Sequence, residues 1–248
     1  MTLVLTELSQ FGIAMAADSA ITFQVPTPSG RTISRVLHGA KKLQIVPHIK
    51  AGIACWGLGT INGVNTDIWM ADLVKRSVQN TTDLHSFANF LASELNTALG
   101  QNAPPAGFHV AGFIDGISGP EPAFYHVHNG PSQVIAGINP AIFNANFDRP
   151  PQSNGPNQFY ITRNGDYRFY AYFFNQLMRL IQGIHADPQL SGVQIPFPPS
   201  LYSRAKFLRL QIQTVASLYD VSNLVPGIGG PITILGIGPQ GYEFFETF

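Results

Sequence analysis

Short apolar runs separated by turn residues open the chain and predict two β-hairpins. The runs at residues 3–5 and 13–17 flank a turn that ends at Gly12, and the runs at 43–46 and 51–55 flank a second turn. Two prolines and two glycines lie between the hairpins, within residues 23–39, which indicates a long turn or a protruding hairpin. The first quarter of the chain therefore supplies buried strands.

Apolar residues at three- and four-residue spacing then predict four helices. Thr66 is a candidate N-cap for the first helix, and Thr82 is a candidate N-cap for the second, which covers residues 84–99. An aromatic stripe at residues 169–181 predicts the third helix, with side chains that are typical of a core. Residues 201–218 form the fourth helix.

Further strands are predicted between and after the two pairs of helices. The Asn129-Gly130 dipeptide is a strong hairpin signal between the second strand of this group and the third. The predicted strands cover residues 108–114, 123–128, 132–136, 159–162, 232–237 and 242–245. Pro-rich and Gly-rich stretches near residues 141–158 and 184–200 indicate surface insertions, in addition to the one near 23–39.

Pairs of helices between blocks of antiparallel strands favour an α+β fold, a four-layer αββα sandwich of two antiparallel sheets flanked by helix pairs. A chain of 248 residues is long enough for one large domain with a substantial core. No internal repeat and no linker is visible. We therefore expect a single domain over residues 1–248.

Composition narrows the range of partners. Charged residues make up only 11% of the chain and the net charge is zero, so we expect neither a nucleic-acid partner nor a membrane partner. The low charge also favours subunit contacts. The single cysteine, Cys55, and the lack of a signal segment point to the cytoplasm. We expect no cofactor and no metal ion, although His126 and His128 lie on one face of a predicted strand and His109 lies on the neighbouring strand.

Thr2 is the first candidate for chemistry. If Met1 is removed, Thr2 carries a nucleophilic hydroxyl and a basic α-amine on one residue, because the amine can take the hydroxyl proton directly or through a water molecule. An unperturbed α-amino pKa of about 7.7 to 8.0 suits this role near neutral pH. Taken alone, a threonine in a strand is more often structural. Whether Thr2 is catalytic therefore depends on the residues that lie beside it in the fold.

Four motifs resemble the proteasome β-subunit family of N-terminal-nucleophile hydrolases, in particular its bacterial members. They are the N-terminal threonine, Asp18-Ser19 at the end of the second strand, the Lys41-Lys42 pair, and the glycine-rich turn after residue 55. The resemblance implies the same four-layer fold. It also implies that Thr2 is the nucleophile, Asp18 the carboxylate and Lys42 the buried lysine beside the threonine.

The resemblance implies roles for further residues. An oxyanion donor falls at the amide of Trp56 or Gly57, and Asp220 and Ser222 are approximate counterparts of a later catalytic Asp and Ser. Substrate-binding positions of the family fall on Thr22, Ala54 and Leu58, which predicts an apolar first specificity pocket. Asn164-Gly165-Asp166 stands where the family has Gly-Ser-Gly.

The implied function is a threonine endopeptidase that acts on peptides or unfolded proteins within a homo-oligomeric ring, with an ATPase unfoldase as a candidate partner. Two alternatives stay open at this point. A ring-forming scaffold subunit of the same fold would lack activity, and an N-terminal-nucleophile amidase would act on a small molecule. Cys55 is interpreted as a buried hydrophobe, because no partnered base is evident.

Overall fold

The structure is a computed structural model. It describes residues 2–26, 32–100, 103–117, 119–130, 142–148, 159–166, 168–190, 198–222 and 227–248. Residue 1 and the predicted strand at 132–136 lie outside the described residues. No helix in the described ranges is both long enough and apolar enough to cross a membrane.

Two five-stranded antiparallel sheets form the centre of the molecule. The strands of the described residues are β1 (Leu3–Ser9), β2 (Gly12–Ala17), β3 (Ile21–Pro26), β4 (Thr32–Leu37), β5 (Leu43–Val46), β6 (Ala51–Trp56), β7 (Thr60–Ile61), β8 (Val64–Asn65), β9 (Gly107–Gly116), β10 (Gly119–His128), β11 (Asn144–Asp148), β12 (Phe159–Gly165), β13 (Thr233–Gly238) and β14 (Gly241–Thr247). The first sheet has the order β12-β1-β2-β13-β14, and the second has the order β11-β10-β9-β6-β5.

Strand register places one end of each sheet at a common edge. In the first sheet, the start of β1 pairs with the ends of β2 and β12, since Val4 lies opposite Ala17 and Leu3 opposite Gly165. In the second sheet, the start of β5 pairs with the end of β6. Strand β1 contacts β6 and β9 across the two sheets. Residues from distant parts of the sequence therefore meet beside Thr2.

The buried apolar side chains form three clusters. Because successive side chains of a strand point to opposite faces of the sheet, neighbouring residues of one strand belong to different clusters. Val4, Leu8 and Met15 pack against Ala54 and Phe124 in a cluster shared by both sheets. On the other face of the first sheet, Leu3 and Leu5 pack against the fourth helix. On the other face of the second sheet, Ile53 and Phe108 pack against the first two helices.

Four helices lie in the described residues, as the apolar spacing predicts. They are α1 (Thr66–Ser77), α2 (Leu84–Leu99), α3 (Arg168–Ala186) and α4 (Leu201–Asp220), and short 3₁₀ turns occur at Pro47–Ile49 and Pro188–Leu190.

Both threonine N-caps predicted from sequence are wrong. Asn65 holds the cap position of α1 without a side-chain cap hydrogen bond, and Thr66 is the first helical residue, with its hydroxyl donating to Leu58 O at 3.0 Å. Asp83 caps α2 in a capping box with Ser86, because its carboxylate accepts from the Ser86 amide at 2.7 Å.

The predicted insertions differ in structure. Strands β3 and β4 pair with each other as a two-stranded hairpin within the first of them. The range 141–158 contains β11, which pairs with β10 at the edge of the second sheet, so this part belongs to the sheet. Most of 184–200 lies in the end of α3, a 3₁₀ turn and residues that are not described.

Candidate active site

A buried ion pair between Asp18 and Lys42 lies at the common edge of the two sheets. The Lys42 ammonium donates to Asp18 Oδ1 at 3.1 Å and also to the carbonyl oxygen of Ala20. Both side chains are almost fully buried, at 5% exposed for Lys42 and 0% for Asp18. Asp18 directly follows β2 and Lys42 directly precedes β5, so each sheet contributes one charge.

Four hydrogen bonds fix the Asp18 carboxylate. Besides Lys42, the amide of Leu3 donates to Oδ1 at 2.9 Å. Oδ2 accepts from the amides of Ala20 at 3.0 Å and Gly229 at 3.2 Å. The bond from Leu3 ties the carboxylate to the residue that follows Thr2. The N-terminal segment and the lysine are therefore held by one carboxylate.

Thr2 and Lys42 line the same cleft, which has a volume of about 60 Å³. The cleft is also lined by Ile21, Thr22, Ala40, Cys55, Gly57, Leu58, Gly59, Thr66 and Asp67. The carbonyl oxygen of Thr2 accepts from the Asp166 amide at 2.8 Å, which fixes the start of β1 from the β12 side. Of the residues predicted from sequence, the cleft thus brings together Thr2, Lys42, Thr22, Gly57 and Leu58.

The direction of the amides at the end of β6 distinguishes Trp56 from Gly57. The Cys55 amide donates to Lys42 O at 3.0 Å, towards β5. Because successive amides of a strand point to opposite sides, the Trp56 amide points towards Gly107, its partner on β9. Gly57 lies beyond the end of β6 and lines the cleft together with Lys42. Its φ of +88° and its distance from Pro105, whose carbonyl oxygen would lie 2.6 Å from an added Cβ, require glycine.

The predicted apolar pocket is only partly apolar. Leu58 lines the cleft, whereas the side chain of Ala54 lies in the cluster between the two sheets. Cys55, one residue later and on the opposite face of the strand, lines the cleft instead. Asp67 adds a carboxylate, which accepts from the Lys41 amide at 3.1 Å.

Asp220 and Ser222 lie at the end of α4, away from the cleft-lining set. Asp220 lines a separate cavity together with His38 and Arg209, and the Ser222 hydroxyl donates to Tyr219 O at 2.9 Å. The structure brings Asp166 to the N-terminal segment, where its amide donates to Thr2 O. Its carboxylate accepts from the Tyr219 hydroxyl. The available sequence signal was the Asn-Gly-Asp triplet at the position of the family's Gly-Ser-Gly.

Cys55 is buried in the floor of the cleft. Burial raises the pKa of its thiol to about 12, and the nearby Lys42 charge opposes this shift without overcoming it. A thiol with this pKa is protonated near neutral pH, so it is a poor nucleophile. Across the described part of the chain, no group of three His, Cys, Asp or Glu side chains is arranged to hold a metal ion.

Comparison with known proteins identifies the fold. No protein-family model and no curated protein sequence matches the chain. Among solved structures, a mutant of Anbu from Hyphomicrobium sp. strain MC1 is similar at 13% identity and a TM-score of 0.55, over 100% of this chain and 87% of that one. Anbu from Yersinia bercovieri, described as an ancestral β-subunit, is similar at 11% identity and a TM-score of 0.55, over 99% of this chain and 86% of that one. The chain therefore has a fold like that of proteasome β-subunits.

Proposed function

We propose that this protein is a threonine peptidase whose nucleophile is Thr2, exposed by removal of Met1. One observation carries the proposal: Asp18 bonds both the Lys42 ammonium and the amide next to Thr2, while Thr2 and Lys42 line one cleft.

We also propose a specific layer arrangement for the fold. Three apolar clusters, one shared by the two sheets and one between each sheet and helices, support a four-layer αββα sandwich.

The reaction uses groups that this chain supplies. The α-amine of Thr2 takes the proton of its own hydroxyl as Oγ1 attacks the peptide carbonyl carbon. The Lys42 cation favours the developing alkoxide electrostatically, and Asp18 keeps that cation paired in its buried position. The proton passes to the leaving amine as the C–N bond breaks. Water then hydrolyses the ester and restores Thr2.

Gly57 is the proposed oxyanion donor, in preference to Trp56. The ladder partner of Trp56 on β9 is Gly107, whereas Gly57 lies beyond the ladder and lines the cleft. A backbone amide aimed at the developing oxyanion contributes about 2.7 to 4 kcal/mol to transition-state stabilisation in other enzymes. Thr22 lines the cleft from the start of β3, which supports a role in binding the substrate backbone.

Ring assembly is part of the proposal. The similar Anbu structure is described as a β-subunit, and only 11% of the residues of this chain are charged. Apolar side chains stand exposed on and near the outer helices, including Tyr172 at 69% and Val221 at 84%. Native mass spectrometry should show a multiple of 26.9 kDa, less the mass of Met1 where it is removed. An ATPase unfoldase and a cytoplasmic location remain predictions from sequence.

Hydrolysis of fluorogenic short peptides tests the proposed function. We expect turnover by the wild type and by Thr2→Ser, which keeps a hydroxyl and an α-amine on one residue. Thr2→Ala should lower kcat by at least about 10³-fold, because it lacks the nucleophile.

Thr97→Ala is the matched control, since Thr97 is exposed on α2 and its hydroxyl donates only to a carbonyl of the same helix. It should retain wild-type turnover. Turnover of the same peptides by Thr2→Ala at the wild-type rate would overturn the proposal.

A further inference from the structure

Three histidines form a row on the faces of β9 and β10 that point between the two sheets. The rings of His126 and His128 are 4.2 Å apart, and those of His109 and His126 are 5.4 Å apart. The row lies beside the end of β6, where the indole ring of Trp56 is 5.8 Å from the ring of His126. It is separate from the Asp18–Lys42 pair.

The row makes one contact that depends on its protonation state. The indole Nε1–H of Trp56 donates to His126 Nε2 at 3.3 Å. An indole nitrogen can only donate, so the bond exists only while His126 Nε2 carries no proton. Protonation there would place two N–H groups face to face. The hydrogen bond therefore requires a neutral imidazole.

The surroundings keep His126 neutral. Its neighbours His109 and His128 are bonded to neutral groups, to Thr6 and Asn164 in the first case and to Asn146 in the second. Asp148, a carboxylate on the adjacent β11, lies opposite Phe124 and accepts from the Tyr160 hydroxyl. Burial, reinforced by the two neighbouring histidines, lowers the pKa of His126 well below its usual value.

Trp56 has little freedom to move within this arrangement. A Cβ added to Gly107 would lie 2.9 Å from two atoms of the indole ring, so the ring rests directly on the β9 backbone. The hydrogen bond to His126 also restrains the orientation of the indole ring. The Gly57 amide belongs to the peptide bond that directly follows Trp56, so a displacement of Trp56 would be passed to that amide.

We propose that His126 is a positioning residue for the proposed hydrolysis: its neutral imidazole holds Trp56, and thereby the Gly57 amide that faces the developing oxyanion. The inference rests on the proposed function. It adds that the amide geometry is lost on acidification through His126, a residue that touches neither substrate nor nucleophile.

The test compares two substitutions of His126 in a Trp69→Phe background, which leaves Trp56 as the only indole. His126→Gln supplies an acceptor that does not titrate, and His126→Leu supplies none. His85→Gln, on the exposed side of α2, is the control. For each protein the measurements are kcat and KM between pH 4.5 and 8, and the indole N–H resonance of Trp56 over the same range.

At pH 7.5 we expect His126→Gln to keep kcat within about threefold of the parent, and His126→Leu to lose at least about tenfold in kcat with little change in KM. In the parent, the indole resonance of Trp56 should shift on acidification as His126 takes up a proton. In His126→Gln that shift should be absent, because glutamine does not titrate. The control should match the parent.

The inference is overturned if His126→Leu keeps the parental kcat, or if the indole resonance of His126→Gln shifts on acidification as that of the parent does. Should His126→Leu not fold, the resonance of His126→Gln decides alone. Should no protein hydrolyse peptide, the proposed function fails. The indole resonance then tests the contact between His126 and Trp56 by itself. A resonance that shifts on acidification in the parent but not in His126→Gln would still identify His126 as the titrating partner of Trp56. The same shift in both proteins would refute that contact.

Discussion

At the scale of single residues, Asp18 is the most constrained group of the proposed site. Its carboxylate accepts from one ammonium and three backbone amides, which come from four separate segments of the chain. Asp18 is therefore expected to matter for stability as well as for chemistry.

Asp18→Asn should lower the free energy of unfolding by about 3 kcal/mol or more, because it leaves the Lys42 charge buried without a counter-ion. Urea denaturation at pH 7.5 measures the change. Asp72→Asn is the control, since the Asp72–Arg76 pair is solvent-exposed and its loss should stay within about 0.5 kcal/mol. Equal effects of the two substitutions would show that the buried pair is not a stabilising element.

Acid should destabilise the fold through His109. Burial lowers the pKa of His109 to about 4, against a usual value of 6.5, and the bond to Asn164 opposes this shift. A folded-state pKa below the unfolded one gives stability that is complete above pH 6.5 and is lost as pH falls towards 4. The loss amounts to about 3 kcal/mol.

His109→Gln removes this group from the titration. The difference in unfolding free energy between wild type and His109→Gln should therefore change by about 3 kcal/mol between pH 7 and pH 4. Urea denaturation at several pH values measures it, and carboxylates that titrate in both proteins cancel. A difference that is independent of pH would contradict a buried, neutral His109.

At the scale of elements, the site is a meeting of strand ends, and glycine makes the closest approach possible. Gly165, at the end of β12, has a φ of +100°, and a Cβ there would lie 1.8 Å from Thr2 O. The Asp166 amide that follows it bonds the same oxygen at 2.8 Å. The end of β12 therefore supports the start of β1 through backbone alone.

Gly165→Ala should displace the N-terminal segment and lower kcat by at least about tenfold, with a loss of stability beyond the roughly 1 to 2 kcal/mol of a positive φ alone. Gly39→Ala is the matched control: Gly39 has a φ of +102° but no atom within 4 Å of an added Cβ. Peptide hydrolysis and urea denaturation of both variants distinguish the effect of the contact with Thr2 O from the effect of backbone strain. Equal losses in the two variants would contradict a special role for Gly165.

Elements were predictable from sequence where the signal is local. The two-residue and 3.6-residue periods gave the first hairpins and the four helices, because burial of one face is recorded in neighbouring positions. Both predicted cap residues were wrong by one residue, and the cleft is lined by Cys55, the residue after Ala54. In a strand, a one-residue error moves a side chain to the opposite face, which is why Cys55 and not Ala54 lines the cleft.

At the scale of the whole molecule, the sequence predicted a fold like that of proteasome β-subunits. Thr2, Asp18 and Lys42 stand in motifs near the N-terminus, so they could be named in advance. Asp166 had only the Asn-Gly-Asp triplet as a signal, and the Trp56–His126 contact had none, because it depends on pairing between segments that lie 70 residues apart. Asp220 and Ser222 were assigned by order along the chain, which does not determine position in space.

The central claim is that Thr2 is an N-terminal nucleophile. The most direct measurement is intact mass and peptide mapping of the wild-type protein after incubation with a peptide epoxyketone, which bonds both the hydroxyl and the α-amine of one residue. We expect a protein that lacks Met1 and carries one adduct per chain, located on Thr2. A protein that retains Met1, or that is left unlabelled at Thr2, would contradict the claim.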